Sequence, residues 1–215
     1  MSPIHIVQQG EHLSSIAEQY GLADYRILWN HPQNRQLREQ RGNPNVLYPG
    51  DEVYIPERAD KEQDCQTERR HTFEKAQRIP RLRLVLKDFT DRPLSNLKCE
   101  LQVEGETYDL TTNQDGMIEH VVPPSAKDGL LTARNVRGEV VMQMPLKIGD
   151  LDPVEEQTGW QARLKNLGYD AGLGGEGGPE ILRAAVEEFQ RDQRLQVDGN
   201  CGPQTQAKLK QVHGC

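Results

Sequence analysis

Apolar and polar residues change rhythm three times along this chain, and each rhythm predicts a different kind of element. The chain begins with Ile4, His5, Ile6 and Val7, a short β-branched run of strand type. Gly10 turns the chain, and Leu13, Ile16, Ala17 and Tyr20 then recur at i, i+3, i+4 and i+7. That spacing puts all four on one face of a helix, and Gly21 is placed to stop it. A second apolar helix is expected around Ile27, Leu28 and Trp29. Asp51 to Ile55 then reads as a second strand, turned by Pro49-Gly50 and ended by Pro56. The predicted order for residues 1–57 is strand, helix, helix, strand.

Residues 58–80 are dense in charge and glutamine and read as a linker. From Arg81 to Phe89 apolar and polar residues alternate, the period of a half-buried strand. Leu97, Cys99, Leu101 and Val103 alternate again, as do Ile118, His120 and Val122. Two further runs follow, Leu130 to Ala133 and Glu139 to Met144. The turns between them fall at Asp91 to Leu94, Glu104 to Glu106, Asn113 to Gly116 and Arg137-Gly138. Roughly six short strands at this spacing indicate an antiparallel β-sandwich over residues 81–149. His120 is read as a residue of the sandwich face. The third rhythm is helical. Trp160, Leu164 and Leu167 share a face that Gly168-Tyr169 closes, and Leu182, Ala185, Val186 and Phe189 repeat the pattern after Pro179. Pro203 sits just inside a last helix, and Leu209 and Val212 are expected to continue its buried face. Residues 150–215 are thus expected to form a small three-helix bundle, and the whole chain is multidomain α+β.

Val7, Gly10, Leu13, Ile16, Ala17, Asn30, Leu47, Gly50 and Ile55-Pro56 together resemble the LysM domain, a βααβ module that binds chitin and peptidoglycan glycans. The sequence departs from that pattern twice. Glu11-His12-Leu13 stands where the family usually has Asp-Thr-Leu, and His31 to Asn45 lengthens the second helix and its following loop. The resemblance implies glycan contacts from Gly10, Glu11, His12 and Leu13 and from Leu47, Tyr48, Pro49 and Gly50, with Tyr48 as a platform for a sugar. Leu13 and Leu47 read equally well as core residues, and Trp29 reads as core.

Leu164, Leu167-Gly168-Tyr169, Ala185-Val186, Phe189-Gln190, Leu195, Val197-Asp198-Gly199, Gly202-Pro203, Thr205 and Leu209 resemble the three-helix peptidoglycan-binding domain found at the ends of many cell-wall hydrolases. The family's first Asp-Gly-x-x-Gly turn is degraded here to the run from Leu173 to Gly178. The resemblance implies a groove of Phe189, Gln190, Asp198, Gly199, Gly202 and Thr205, several of which also hold the fold, with a stem peptide as ligand. In the middle region, Asp88 with Pro93-Leu94 and Asp115-Gly116 with Ile118 resemble immunoglobulin-like or transthyretin-like spacer domains of secreted bacterial proteins.

Composition narrows the functions. Hydrophobic residues make up 35% of the 215 positions and aromatic residues 5%, which is lean for one large core and suits small modules. A net charge of −7 opposes nucleic-acid binding, and the run Arg69, Arg70, His71 is too short to reverse it. No run of about 18 apolar residues is present, so no membrane span is expected. The LysM-like pattern begins almost at Met1, where a signal peptide would stand. The expectation is synthesis in the cytoplasm without a signal peptide and action in the periplasm or at the cell wall, after signal-independent export or lysis.

Cys65, Cys99, Cys201 and Cys215 form no Cys-x-x-Cys pair, and the histidines lack zinc spacings, so neither metal nor cofactor is expected. Nearness in sequence would pair Cys65 with Cys99 and Cys201 with Cys215 in an oxidising compartment. Four reduced thiols are the alternative. The stretch Gly172 to Gly178 has no Gly-Lys-Ser/Thr after it and is no P-loop. Val212-His213-Gly214-Cys215 resembles the Ser-His-Gly-Cys run of L,D-transpeptidases, but the catalytic β-domain that would surround such a nucleophile is not in this sequence. Glu155-Glu156 and Glu187-Glu188 are adjacent pairs whose side chains diverge on a helix. No catalytic residue is expected.

The first expectation is a non-catalytic, bivalent peptidoglycan-binding protein, a wall anchor or targeting adaptor. An alternative is an accessory adaptor of a contractile secretion system, phage-tail or type VI-like, with an effector or spike as partner, because LysM domains lacking signal peptides resemble such subunits. A cell-wall hydrolase is the third reading.

Overall fold

The computed structural model describes residues 3–57, 68, 70, 80–88, 90, 92–172 and 178–214. Most of the 58–80 linker, Cys65, Cys215 and the 173–177 part of the glycine-rich loop lie outside the described residues. The architecture is mixed, with helices and antiparallel sheets. It divides into two compact units: residues 1–40 with 49–150, and residues 41–48 with 151–215.

In the N-terminal region β1 (Ile4–Ile6) pairs antiparallel with β2 (Glu52–Tyr54), Ile4 opposite Tyr54 and Ile6 opposite Glu52. Between them run α1 (Leu13–Gln19), α2 (Arg26–Trp29) and α3 (Arg35–Arg41). The apolar face of α1 is buried as its spacing requires: Leu13, Ile16 and Ala17 join Val7, Leu28, Val53 and Ile55 in the core. Trp29 is half-buried. The second helix is not lengthened past Trp29; it is interrupted. Pro32 lacks an amide hydrogen and disfavours a helical residue before it, and His31 is accordingly extended at ψ 136°. His31 Nδ1 accepts the Gln33 amide hydrogen, a 3-10 turn covers Pro32–Asn34, and α3 follows as a separate helix.

Asn34 fixes this arrangement. It is 2% exposed; its Nδ2 donates to the Leu28 and Tyr54 carbonyls at 2.9 Å each, and its Oδ1 accepts the Tyr54 amide at 2.8 Å. One carboxamide thus ties the end of β2 to the end of α2.

In the middle region β3 (Arg81–Val85) pairs with β6 (Met117–Val121). A second sheet has the order β5 (Glu106–Thr111), β4 (Lys98–Val103), β7 (Asp128–Arg134), β8 (Val140–Lys147), antiparallel throughout. Ile118, with Leu82 and Leu84 beside it, shares one core with Cys99, Leu101, Val103, Leu131 and Ala133. Hydrophobic alternation alone does not single out β5. It is an edge strand carrying Glu106 and Asp109, and charge on an edge hinders pairing with other chains. His120 is half-buried, with its ring tilted against Tyr108 at 4.2 Å between centroids. The Asn113–Gly116 turn needs its glycine. Gly116 has φ +72°, and a Cβ there would lie 2.4 Å from the Leu86 carbonyl oxygen.

The second unit holds α4 (Gln157–Asn166), α5 (Pro179–Asp192) and α6 (Pro203–His213). Val154, Leu164, Ala171, Ala185, Val186, Phe189 and Leu209 form its core. Proline at the first turn of α5 and α6 uses a position whose amide has no helical acceptor. Arg163 on α4 is 1% exposed and its Nη1 donates to the Asp152 and Gly159 carbonyls at 2.8 Å. This guanidinium holds the segment entering α4. Among the described residues no helix is long and apolar enough to cross a membrane.

Candidate functional site

In the second unit the candidate site is the turn between α5 and α6. Its scaffold is Gln190, 1% exposed on the inner face of α5. Gln190 Nε2 donates to Asp198 Oδ1 at 2.8 Å and to Asn200 O and Thr205 Oγ1 at 3.0 Å. Its Oε1 accepts the amides of Asp198 and Gly199, both at 3.0 Å. Asp198 Oδ1 also accepts the Asn200 amide at 2.8 Å. That amide first, and then Gln190, hold the Asp198 carboxyl below the usual carboxylate range. Gly199, at φ +72°, lies directly over α5: a Cβ would sit 2.7 Å from Arg183 Cγ and 2.8 Å from Glu187 Oε1. Arg183 and Glu187 are themselves paired, Nε to Oε1 at 2.9 Å.

The six residues expected to contact a stem peptide therefore divide by burial. Phe189, Gln190 and Thr205 are buried, and their side chains hold the fold. Asp198 is exposed, and Gly199 and Gly202 are half-buried at the turn. The fold adds Arg183, Glu187 and Asn200 to this surface; sequence reasoning did not single out Arg183 or Asn200, and weighed Glu187 only as half of a carboxylate pair with Glu188. The opposite charges of Arg183 and Glu187 at i, i+4 were the available signal. Tyr169 closes the neighbouring core edge-on to Phe189, and burial, with the nearby Asp192, pushes its hydroxyl well up.

Asn166 Nδ2 donates to His213 Nε2 at 3.1 Å when that nitrogen is unprotonated. Burial first, and the nearby Arg163 charge second, lower His213 from 6.5 to about 4. The unfolded chain then binds the extra proton between these values. Stability from the neutral ring is complete above about pH 6.5 and is lost as pH falls towards about 4. Amide-exchange protection of α6 should fall across that window, and His213→Gln should flatten the fall. An unchanged profile in the variant would remove His213 as its source.

In the first unit the candidate is the loop before α1. Glu11 Oε2 accepts the Gln8 amide at 2.8 Å and pairs with His5 Nε2 at 2.8 Å. His12 caps α1: its Nδ1 accepts the Ser15 amide at 3.3 Å, while Ser15 Oγ accepts the His12 amide at 3.0 Å. This is a reciprocal capping box with histidine as the cap. Burial lowers the His12 pKa, which keeps Nδ1 an acceptor. Leu13 is fully buried. The loop also meets the exit of β8. Gln9 Nε2 donates to Asp150 Oδ1 at 3.0 Å, and a Cβ on Gly149 would lie 2.9 Å from His12 Cδ2 and 3.1 Å from the Gly10 carbonyl oxygen.

Of the other expected glycan contacts, Pro49 is half-buried and Gly50 exposed, the latter donating its amide to Val7 O at 2.9 Å. Leu47 and Tyr48 belong to the second unit. Leu47 is buried, and Tyr48 is half-buried with the Arg41 guanidinium 5.5 Å from its ring centroid. Cys99 is buried and Cys201 half-buried, both unbridged among the described residues; Cys65 and Cys215 lie outside them. Among the described residues no three His, Cys, Asp or Glu side chains are grouped to hold a metal.

Residues 160–209 match the family model described as "Putative peptidoglycan binding domain". Comparison with curated proteins gives no match. Comparison with solved structures gives none either. The family match assigns peptidoglycan binding to the C-terminal module, and peptidoglycan is the partner that follows from it.

Proposed function

We propose that this chain is a non-catalytic, bivalent peptidoglycan-binding protein that serves as a wall anchor or targeting adaptor. Its C-terminal module takes the stem peptide and its N-terminal LysM-like module takes the glycan. The family match at residues 160–209 carries this reading. The surface there supports a peptide ligand. Asp198 and Asn200 stand exposed on a turn braced from below, and the exposed Arg183 beside them offers a cation to the carboxylates of a stem peptide. The middle region acts as a spacer. Each contact alone is weak; joined, the second becomes intramolecular, and avidity rises by roughly 10²–10⁴ where geometry lets both engage. The protein acts in the periplasm or at the cell wall.

Co-sedimentation of the full chain with purified sacculi, alongside assay of released muropeptides, tests this. The protein should pellet with the sacculi and release nothing soluble. Protein left in the supernatant would sink the binding reading, and soluble fragments would restore the hydrolase.

The second reading is an adaptor that carries an effector or spike of a contractile secretion machine. It is favoured by Ile4 and Ile6, 59% and 51% exposed on one face of β1, an apolar surface suited to a protein. Stable co-purification with a spike or effector encoded beside it would decide for that reading.

A further inference from the structure

In the N-terminal module the loop that a glycan would use is already occupied by this chain. Glu11 faces inward to His5 and the Gln8 amide. His12 is 5% exposed, and Gly149 lies against its ring and against the Gly10 carbonyl. Gln9 reaches Asp150, 141 positions along the chain, with a hydrogen bond of 3.0 Å. Gly149 has φ +77° and no space for a Cβ, so this close approach depends on glycine. The carboxylate of Asp150 and the backbone of Gly149 present acceptors and a small surface to the loop, as the hydroxyl, amide and ring faces of an N-acetylhexosamine would.

We propose that Gly149 and Asp150 form an intramolecular strap that competes with glycan for Gly10, Glu11 and His12, so that the N-terminal module binds sugar only when the strap releases. This rests on the glycan reading of that module. The loop is then a two-state element. Strapped chains do not bind, and the apparent affinity is the intrinsic one reduced by the released fraction. The Gln9–Asp150 hydrogen bond lies at the exposed edge of this contact, which suits a latch that ligand or tension can open. Tethering through the C-terminal module would raise the local glycan concentration and shift the latch towards release.

The test uses the full chain, Asp150→Ala, which removes the acceptor without touching the backbone, and Gly149→Val, whose side chain would collide with the His12 ring. Two quantities are read: the NMR signals and titration of the His12 imidazole, and calorimetric affinity for a soluble N-acetylglucosamine oligomer, which carries no stem peptide. Release of the strap should shift the His12 signals and raise its titration midpoint towards the ordinary histidine value. The oligomer should then bind roughly three- to tenfold more tightly than to the parent chain. Shifted His12 signals with equal, measurable affinity in all three proteins would overturn the strap while leaving the glycan reading intact. Shifted signals with no binding by any protein would overturn the glycan reading and the strap with it. Unchanged His12 signals in both variants would show that the contact does not form in solution, and the strap would fall.

Discussion

Exchanging Gln190 for alanine should unfold the C-terminal module and abolish its binding to sacculi together. The side chain is buried; the two N–H groups of Nε2 are shared among three acceptors, and Oε1 accepts two amides. Truncation leaves the Thr205 hydroxyl and the turn amides without their partner and opens a cavity beneath residues 198–200. Networks of this kind are worth more than one hydrogen bond, and the loss should be about 3 kcal/mol or more. Gln190→Glu is the sharper variant. It keeps acceptors for the two amides but sets a carboxylate against Asp198, whose charged form the turn already favours. It should be as damaging at neutral pH and recover in acid, where the new carboxyl is protonated and can donate. Thermal melts of the full chain, with amide exchange over α4 to α6, would read the fold, and co-sedimentation would read the binding. Retained binding with lost protection would show that the ligand does not need this turn.

At the other end, Asn34→Ala should melt the N-terminal module while leaving the C-terminal module folded. Asn34 satisfies two carbonyls and one amide at a site only 2% exposed, so water cannot readily replace it. The expected loss is about 2–4 kcal/mol, a large share of what so small a module can hold. Asn34→Asp should be worse. It keeps an acceptor for the Tyr54 amide but turns a buried negative charge towards two carbonyl oxygens. Amide exchange in β1 and β2 would report the damage. On the bivalent reading the variant still pellets with sacculi but washes off faster, because avidity is gone. Equal retention by both proteins would show that the N-terminal module adds nothing to wall binding.

The two carboxamides show where sequence reasoning reached and where it stopped. Gln190 stood out as a match to a family pattern, and the fold places it in the interior, where it builds the turn that Asp198 and Asn200 display. Asn34 gave no signal, because its partners Leu28 and Tyr54 are brought together only when β2 returns to β1. Pro32 lies inside the stretch from His31 to Asn45 that was expected to lengthen the second helix, and its missing amide hydrogen accounts for the split into α2 and α3. The buried Arg163 was not legible. A charged residue on a helix is ordinarily exposed, and it is folding that brings the Asp152 carbonyl to its Nη1, beside the Gly159 carbonyl one turn back on α4.

Local periodicity determined which faces of α1 and α5 are buried, where most strands run and where glycine must turn the chain; on α6 it placed Leu209 correctly but not Val212, which is 40% exposed next to the last residue of the helix. Those choices depend on residues within a few positions of one another, and hydrophobic burial enforces them wherever the segment packs. The sequence also carried the C-terminal family pattern that assigns peptidoglycan binding. Tertiary structure decided which of the pattern's residues face solvent and which are spent inside: Asp198 outward, Phe189, Gln190 and Thr205 inward. It decided, too, that Gly149 and Asp150 reach the loop of Gln9 to His12. Satisfying a buried donor, or closing one loop on another, depends on groups that are distant in sequence and become neighbours only on folding.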